Sequence, residues 1–255
     1  MLRNVLKYTI TAVLIAAPSC VWALDTSQYQ NSGDTYFSSG DFTRALEQYS
    51  AGLALEKGNY EFLWKIARCY SRLTVSSTDK KIIKEYVLKQ EEYSRKAVEA
   101  GPERFEGYRY LASALGKLLT HAPFDKVYKY INEIKETSET AIALNPDDPR
   151  CYIILGVWHR KVALAPWYQK TLISAFFGGL PGSDLETSVK LLEKAVQLEN
   201  NRVKNYYELA LSYRAVNDHG AAKQALEKAI HCIPRHDWDV KTLEKARKLL
   251  DNYSE

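Results

Sequence analysis

The chain has 255 residues, 46% hydrophobic and 26% charged, a composition that excludes a disordered protein and supplies enough apolar material for one continuous core. Its 35 Lys and Arg face 31 Asp and Glu, a net charge of +4 that falls by two without Arg3 and Lys7, and this near balance predicts no nucleic-acid footprint. Beyond residue 23 the cysteines are Cys69, Cys151 and Cys232, an odd and widely spaced set that gives neither a disulfide framework nor a zinc ligand group.

The first segment carries Arg3 and Lys7, an uncharged and mostly apolar stretch over 8–17, and Val21-Trp22-Ala23 ahead of the first acid, Asp25. That order is the order of a secretory signal peptide cut after Ala23. Residues 1–23 are therefore expected to be removed and residues 24–255 to form the mature, exported and periplasmic domain. Two other readings fit less well. A membrane anchor would have to cross with the run 8–24, marginal in length and interrupted by Pro18, and a mitochondrial presequence would be less apolar and richer in Arg and Ser. Cys20 is a lipidation candidate, although Ala17-Pro18-Ser19 matches a lipoprotein signal poorly.

From residue 26 a helix-ending phrase recurs, Ala-aliphatic with Pro five residues after the Ala: Ala97-Val98 with Pro102, Ala141-Ile142 with Pro146, Ala229-Ile230 with Pro234. It is degraded at Gly52-Leu53 and Ala195-Val196. Leu-Gly or Leu-Ala dipeptides and aromatics precede most copies, which is the pattern of tetratricopeptide-type helix pairs. In the first unit Gly33, Tyr36, Ala45 and Tyr49 hold the small and aromatic positions, with Ser39-Gly40-Asp41 as the turn. In the second, Ile66-Ala67 and Tyr70 are on register, and after the polar stretch 74–78 a helix is expected from about Asp79 to Ala100, with Ser76 and Asp79 as a capping box. The third, from Phe105, breaks at His121-Ala122-Pro123. Asp148-Pro149 starts the fourth and Leu155-Gly156 is its close-approach pair. The fifth runs from Val203, and an amphipathic segment from about Asp237 to Tyr253 forms the solvating cap a repeat stack requires.

Equivalent Ala or Gly positions at 52, 97, 141, 195 and 229 stand 45, 44, 54 and 34 residues apart, against about 34 in a plain array. The second and third units are thus expected to have lengthened second helices. The fourth holds an insert, an apolar helix from Trp167 to Leu180 closed by a Gly/Pro loop. The fold expected is all-α: a right-handed superhelix of about five such pairs with a C-terminal capping helix.

At this insert the chain resembles the regulator of microtubule dynamics family, whose tetratricopeptide-like domain carries a Pro-Trp-Tyr-Gln segment, an apolar helix, a Phe-containing end and a Pro-rich loop. The matching residues are Pro166, Trp167, Tyr168, Gln169, Phe177, Pro181 and Glu193-Lys194-Ala195. The resemblance extends over about Tyr93 to Leu250. It implies association with microtubules and mitochondria, and for some members phospholipid binding or transfer. The apparent export signal departs from the animal members and favours the lipid-binding side of that implication.

In such a superhelix the inner surface comes from fixed positions of each first helix. These are Gln30, Asp34 and Phe37, then Trp64 and Arg68, then Arg109, then Arg150, Ile153, Val157 and Arg160, then Lys204, Tyr207, Leu211 and Arg214. The surface is cationic and apolar together, as an anionic amphiphile requires: Arg pairs with phosphate or carboxylate while apolar groups bury a tail. The opposing reading has the cations paired with Glu61, Glu106 or Glu208 on ordinary solvated faces. Gln30 and Asp34 stand where carboxylate-clamping domains of this type place Lys and Asn, so a chaperone-tail function is not expected. Trp167, Tyr168, Phe176 and Phe177 in the insert have three readings: core filler, wall or lid of the groove, or a membrane-interface contact. The burial of Phe176 and Phe177 separates these.

The five histidines are scattered and no HExxH, phosphate-binding Gly loop, Gly-x-Ser-x-Gly or paired-Cys motif occurs, so no catalytic residue, metal or cofactor is expected. His231, His236 and Asp237 are read as a coincidental helix cap. The function expected is a non-catalytic envelope binding module for a lipid or anionic amphiphile. Its alternatives are a protein-interaction scaffold and, if the N-terminal segment is retained, a microtubule-associated protein.

Overall fold

The computed structural model describes residues 26–253; the expected signal peptide, its cut after Ala23 and Cys20 lie outside them. The described residues form helices α1 (Ser27–Ser38), α2 (Phe42–Leu55), α3 (Tyr60–Ser76), α4 (Lys80–Ala100), α5 (Phe105–Leu118), α6 (Phe124–Leu144), α7 (Pro149–Ala163), α8 (Trp167–Phe177), α9 (Leu185–Leu198), α10 (Val203–Ala215), α11 (His219–His231) and α12 (Asp237–Asp251), with one 3-10 turn at Leu119–His121. Successive pairs α1/α2, α3/α4, α5/α6, α7/α9 and α10/α11 stack into a solenoid, and α12 closes it. No described helix is long and apolar enough to cross a membrane.

The helix starts follow from side chains that satisfy free N–H groups. Asp41 accepts from the Arg44 amide, Asn59 from Glu61, Asp148 from Arg150, Asp184 from Thr187 and Asp218 from Ala221. Asp79 alone caps α4, accepting from the Lys81 amide at 2.7 Å and the Ile82 amide at 3.3 Å. The expected capping box with Ser76 does not form: Ser76 still belongs to α3 and its hydroxyl donates to the Arg72 carbonyl. The lengthening falls where the intervals placed it, since α4 and α6 have 21 residues each against 14 in α2 and α9. In the fourth unit the extra chain does not lengthen the second helix. It forms α8, which ends at Phe177, three residues before the expected Leu180, on Gly178 at φ +80°.

Close approach of the paired helices depends on absent side chains. A Cβ on Gly33 would stand 2.4 Å from Cε1 of Tyr49, a fully buried ring whose hydroxyl donates to Asp34 at 2.6 Å. The ring is fixed at both ends, so it cannot withdraw. We expect Gly33→Ala to destabilise by a net of about 1–2 kcal/mol, overpacking exceeding the gain in helix propensity. Thermal denaturation checks this, with Tm lower by roughly 2–8 °C.

Candidate ligand groove

The first helices α3, α5, α7 and α10 share one surface, and α12 folds back across its end, where the Arg72 guanidinium lies 5.0 Å from the Trp238 ring centre. Two adjoining hollows occupy it. One, about 200 Å³, lies under α12 and is lined by Arg72, Arg109, Lys117, Arg150, Arg202 and Lys204, with Glu199 and Asp239 as its carboxylates. The other, about 460 Å³, runs along α5 and α7 with Leu119, Ile153, Ile154, Val157 and Trp158 on its walls. Ser113, Lys117, Ile153, Ile154 and Lys204 line both, so a cationic end passes directly into an apolar trough. A wider hollow of about 710 Å³ across α10 and α11 shares no lining residue with them and mixes Glu227 with Lys228 and Arg235.

The charge under α12 is not neutralised. Arg109 is buried and pairs with Asp148 at 3.3 Å, yet its buried Nε has no hydrogen-bond partner. Arg202 stands 3.8 Å from Asp239, and Glu199 pairs with Arg235 outside the cavity lining. Arg72, Lys117, Arg150 and Lys204 have no ion pair with any described carboxylate. Two of these cations also oppose helix physics. Arg150 lies in the first turn of α7 and Lys204 in the first turn of α10, which starts without a side-chain cap, and a cation there is disfavoured by the helix dipole. The uncapped N-terminus of α10 therefore adds to the positive potential of the cavity, whereas that of α7 is offset by its Asp148 cap.

Lys117 carries the cost of this arrangement. Its Nζ donates to Gln90 Oε1 at 2.9 Å and lies 3.4 Å from Ser71 Oγ, both neutral partners. Burial, with repulsion from Lys204 and Arg72, pushes its pKa down to about 7. Burial likewise lowers the Arg72 pKa, and Arg150, Arg202 and Arg109 reinforce the shift against the opposing influence of Tyr110. Because the unfolded chain keeps the Lys117 proton to a higher pH than the folded one, stability rises with pH from about 7 toward the ordinary lysine range. An anion bound beside Lys117 restores its charge. Binding is then expected to take up close to one proton near pH 8 and to weaken as pH rises above 7, which calorimetry in buffers of differing ionisation enthalpy measures.

The residues singled out in the sequence divide by where they lie. Arg109, Arg150 and Ile153 meet at the cationic cavity, and Ile153 and Val157 line the apolar trough. Trp64 and Arg68 do not reach either hollow. Asp34 engages Arg68 at 3.2 Å and Lys65 at 2.7 Å, Arg68 packs 3.7 Å over the Phe37 ring, and Trp64 donates to Glu61 and stacks on Tyr110. Burial acts to raise the Asp34 pKa, but hydrogen bonds from Lys65 and Tyr49 and the nearby Arg68 charge hold it below its ordinary value. Arg160 is buried and structural: it donates to the Glu208 carbonyl at 2.7 Å and Ser212 Oγ at 2.9 Å, and pairs with the Glu208 carboxylate. Tyr207 packs on the C-terminal core, Leu211 is half-buried, and Arg214 is exposed; none of the three lines the groove.

Sequence reasoning missed Arg72, Lys117 and Trp238. Arg72 stands one turn on from Arg68 and Lys117 about two turns on from Arg109, and Trp238 belongs to the cap. The insert splits between its readings. Ile173 and Phe177 face inward, Phe177 stacking on Tyr128 at 4.8 Å, whereas Trp167 is 78% and Phe176 70% exposed. No α8 residue lines either hollow, so α8 is not the groove wall. Cys69 and Cys151 are buried within α3 and α7, while Cys232 follows the last residue of α11 and is only half-buried. Among the described residues no group of acids, His and Cys is arranged to hold a metal ion.

The family model for regulator of microtubule dynamics proteins 1–3 matches residues 30–254, well beyond the segment in which the motif lies. Regulator of microtubule dynamics protein 1 of Bos taurus is 27% identical over 250 residues, covering 96% of this chain and 76% of the relative. Protein 3 of Xenopus laevis is 30% identical over 138 residues, and that alignment spans only 30% of its length. Among solved structures, a thermophilic TPR protein of Thermus thermophilus superposes with a TM-score of 0.61 at 18% identity, covering 88% of this chain and 99% of that one. MamA superposes with a TM-score of 0.51 at 19% identity, covering 88% and 94%. These two likenesses establish a tetratricopeptide-like repeat fold.

Proposed function

The chain belongs to the regulator of microtubule dynamics family, and from that premise and the groove we propose that it is a non-catalytic binding module for a lipid or other anionic amphiphile. The observation that carries the proposal is the junction of the unneutralised cavity under α12 with the apolar trough along α7. A phosphate or carboxylate head would meet Arg72, Arg109, Lys117, Arg150 and Lys204, and its chain would lie against Ile153, Val157 and Trp158. Charge-assisted bonds of this type are worth about 1.5–3 kcal/mol each, enough to fix the head while the trough removes the tail from water.

The repeat architecture suits a protein-interaction scaffold as well, and an acidic peptide with hydrophobic anchors would use the same two chemistries. The relatives' name attaches them to microtubule dynamics; a cytosolic, microtubule-related role for this chain requires that residues 1–23 not direct export. The composition of that segment favours a periplasmic location. N-terminal sequencing checks this: a mature chain starting at Leu24 agrees with it, and an intact Met1 contradicts it.

Native mass spectrometry after incubation with phosphatidylglycerol vesicles tests the ligand reading. A single lipid adduct supports it. A clean apo mass, with a stoichiometric protein partner in a crosslinked pull-down, supports the scaffold instead.

A further inference from the structure

Helix α8 is apolar on both of its sides, but only one has a partner. Ile173 is buried in the cluster that includes Leu155, Trp158 and Val162, and Phe177 stacks on Tyr128. On the other side Tyr168, Leu172 and Phe176 recur every fourth residue and are exposed, with Trp167 and Leu164 beside them. Phe124, at the start of α6, extends the patch and meets the Phe176 ring edge-on at 5.9 Å. A contiguous exposed apolar surface of this kind marks an interaction site.

We propose that this face of α8 docks the protein on an anionic bilayer surface. Three observations select a bilayer over a second protein. Trp167 and Tyr168 stand together at one end of the helix, and such rings, apolar with one polar atom, favour the headgroup level of a membrane. From Lys161 to Gly182 the chain has Lys161 and Lys170 and no carboxylate, and on the adjoining start of α6 the exposed Lys126 and Lys129 outnumber the one exposed acid there, Asp125. Anionic lipid attracts such a set, as in other interfacial helices. Finally, α7 leads through Leu164 and Pro166 directly into α8, and Lys161 and Val162 at that end of α7 line the apolar trough. Docking on α8 brings the open trough to the membrane surface.

The docking face and the cationic cavity share no residue, so this inference stands or falls apart from the groove ligand. Hydrogen exchange of the full chain tests it, because the readout is local to α8 and separates it from any contribution of residues 1–25. With vesicles of three parts phosphatidylcholine to one part phosphatidylglycerol, amides of residues 167–177 are expected to slow by at least about tenfold. Pure phosphatidylcholine is expected to slow them much less. Trp167→Glu with Phe176→Glu abolishes the slowing, and Tyr168→Asp with Leu172→Asp does the same if the first pair perturbs folding. The groove variant Arg150→Glu/Lys204→Glu keeps it. Unchanged exchange in α8 on anionic vesicles overturns the proposal, and so does a dimer in vesicle-free solution that Trp167→Glu/Phe176→Glu converts to monomer.

Discussion

Arg160→Met is expected to destabilise the protein by about 3–5 kcal/mol, the largest effect of any change at the inner-face cations, and to leave ligand contacts in the cationic cavity intact. The side chains of Arg160 and Glu208 are only 8% and 17% exposed. Arg160 donates to Ser212 Oγ; that hydroxyl lies 2.8 Å from Ser188 Oγ, and Ser188 donates to the Gly156 carbonyl at 2.7 Å. One buried chain of polar groups thus ties α7, α9 and α10 together. Removing the guanidinium strands the Glu208 carboxylate and leaves its carbonyl one partner short, and a buried polar group without its partner costs the full desolvation penalty. The double variant Arg160→Met/Glu208→Leu removes both charges, so it is expected to recover most of the loss. Denaturant unfolding of the four proteins in this cycle checks the account; a single variant as stable as wild type would show that the pair is solvated.

Arg150→Glu/Lys204→Glu is the opposite case. Both side chains are exposed, neither has an ion pair with a described carboxylate, and both lie in helix first turns. Glutamate there complements the dipole, so stability is expected to hold or to rise by up to about 1 kcal/mol. Reversing two charges at the mouth of the cavity replaces attraction for an anionic head by repulsion. Affinity for an anionic amphiphile such as dodecyl phosphate is expected to fall by at least about 100-fold, the loss of two charge-assisted contacts. Titration calorimetry beside thermal unfolding separates the outcomes. Equal affinity in the variant means that the head does not lie under α12, and a collapse in Tm means that Arg150 and Lys204 support the fold.

Repeat register was legible because it is local: Gly33 under Tyr49, Asp148-Pro149 at the start of α7, and the two enlarged intervals all lie within one or two helices. The roles of the inner cations were not legible. Arg160 and Arg150 occupy equivalent-looking positions on the same helix, and what makes one structural is Glu208, 48 residues away. Arg68 is likewise engaged by Asp34, 34 residues away in the chain. The cavity itself depends on α12 returning to α3, the Arg72–Trp238 contact, which no periodicity encodes. Inverted helix-terminal charge was the one signal available earlier: Arg150 and Lys204 stand where local physics would place Asp or Glu.

Head and tail of one anionic amphiphile are proposed to occupy the two adjoining hollows. A crystal structure of the complex with dodecyl phosphate tests it most directly. The phosphate is expected under α12, within hydrogen-bond reach of Lys117 Nζ and the unpartnered Nε of Arg109, with its chain along Ile153, Val157 and Trp158. Phosphate bound elsewhere, or a groove left empty at saturating ligand, would contradict it.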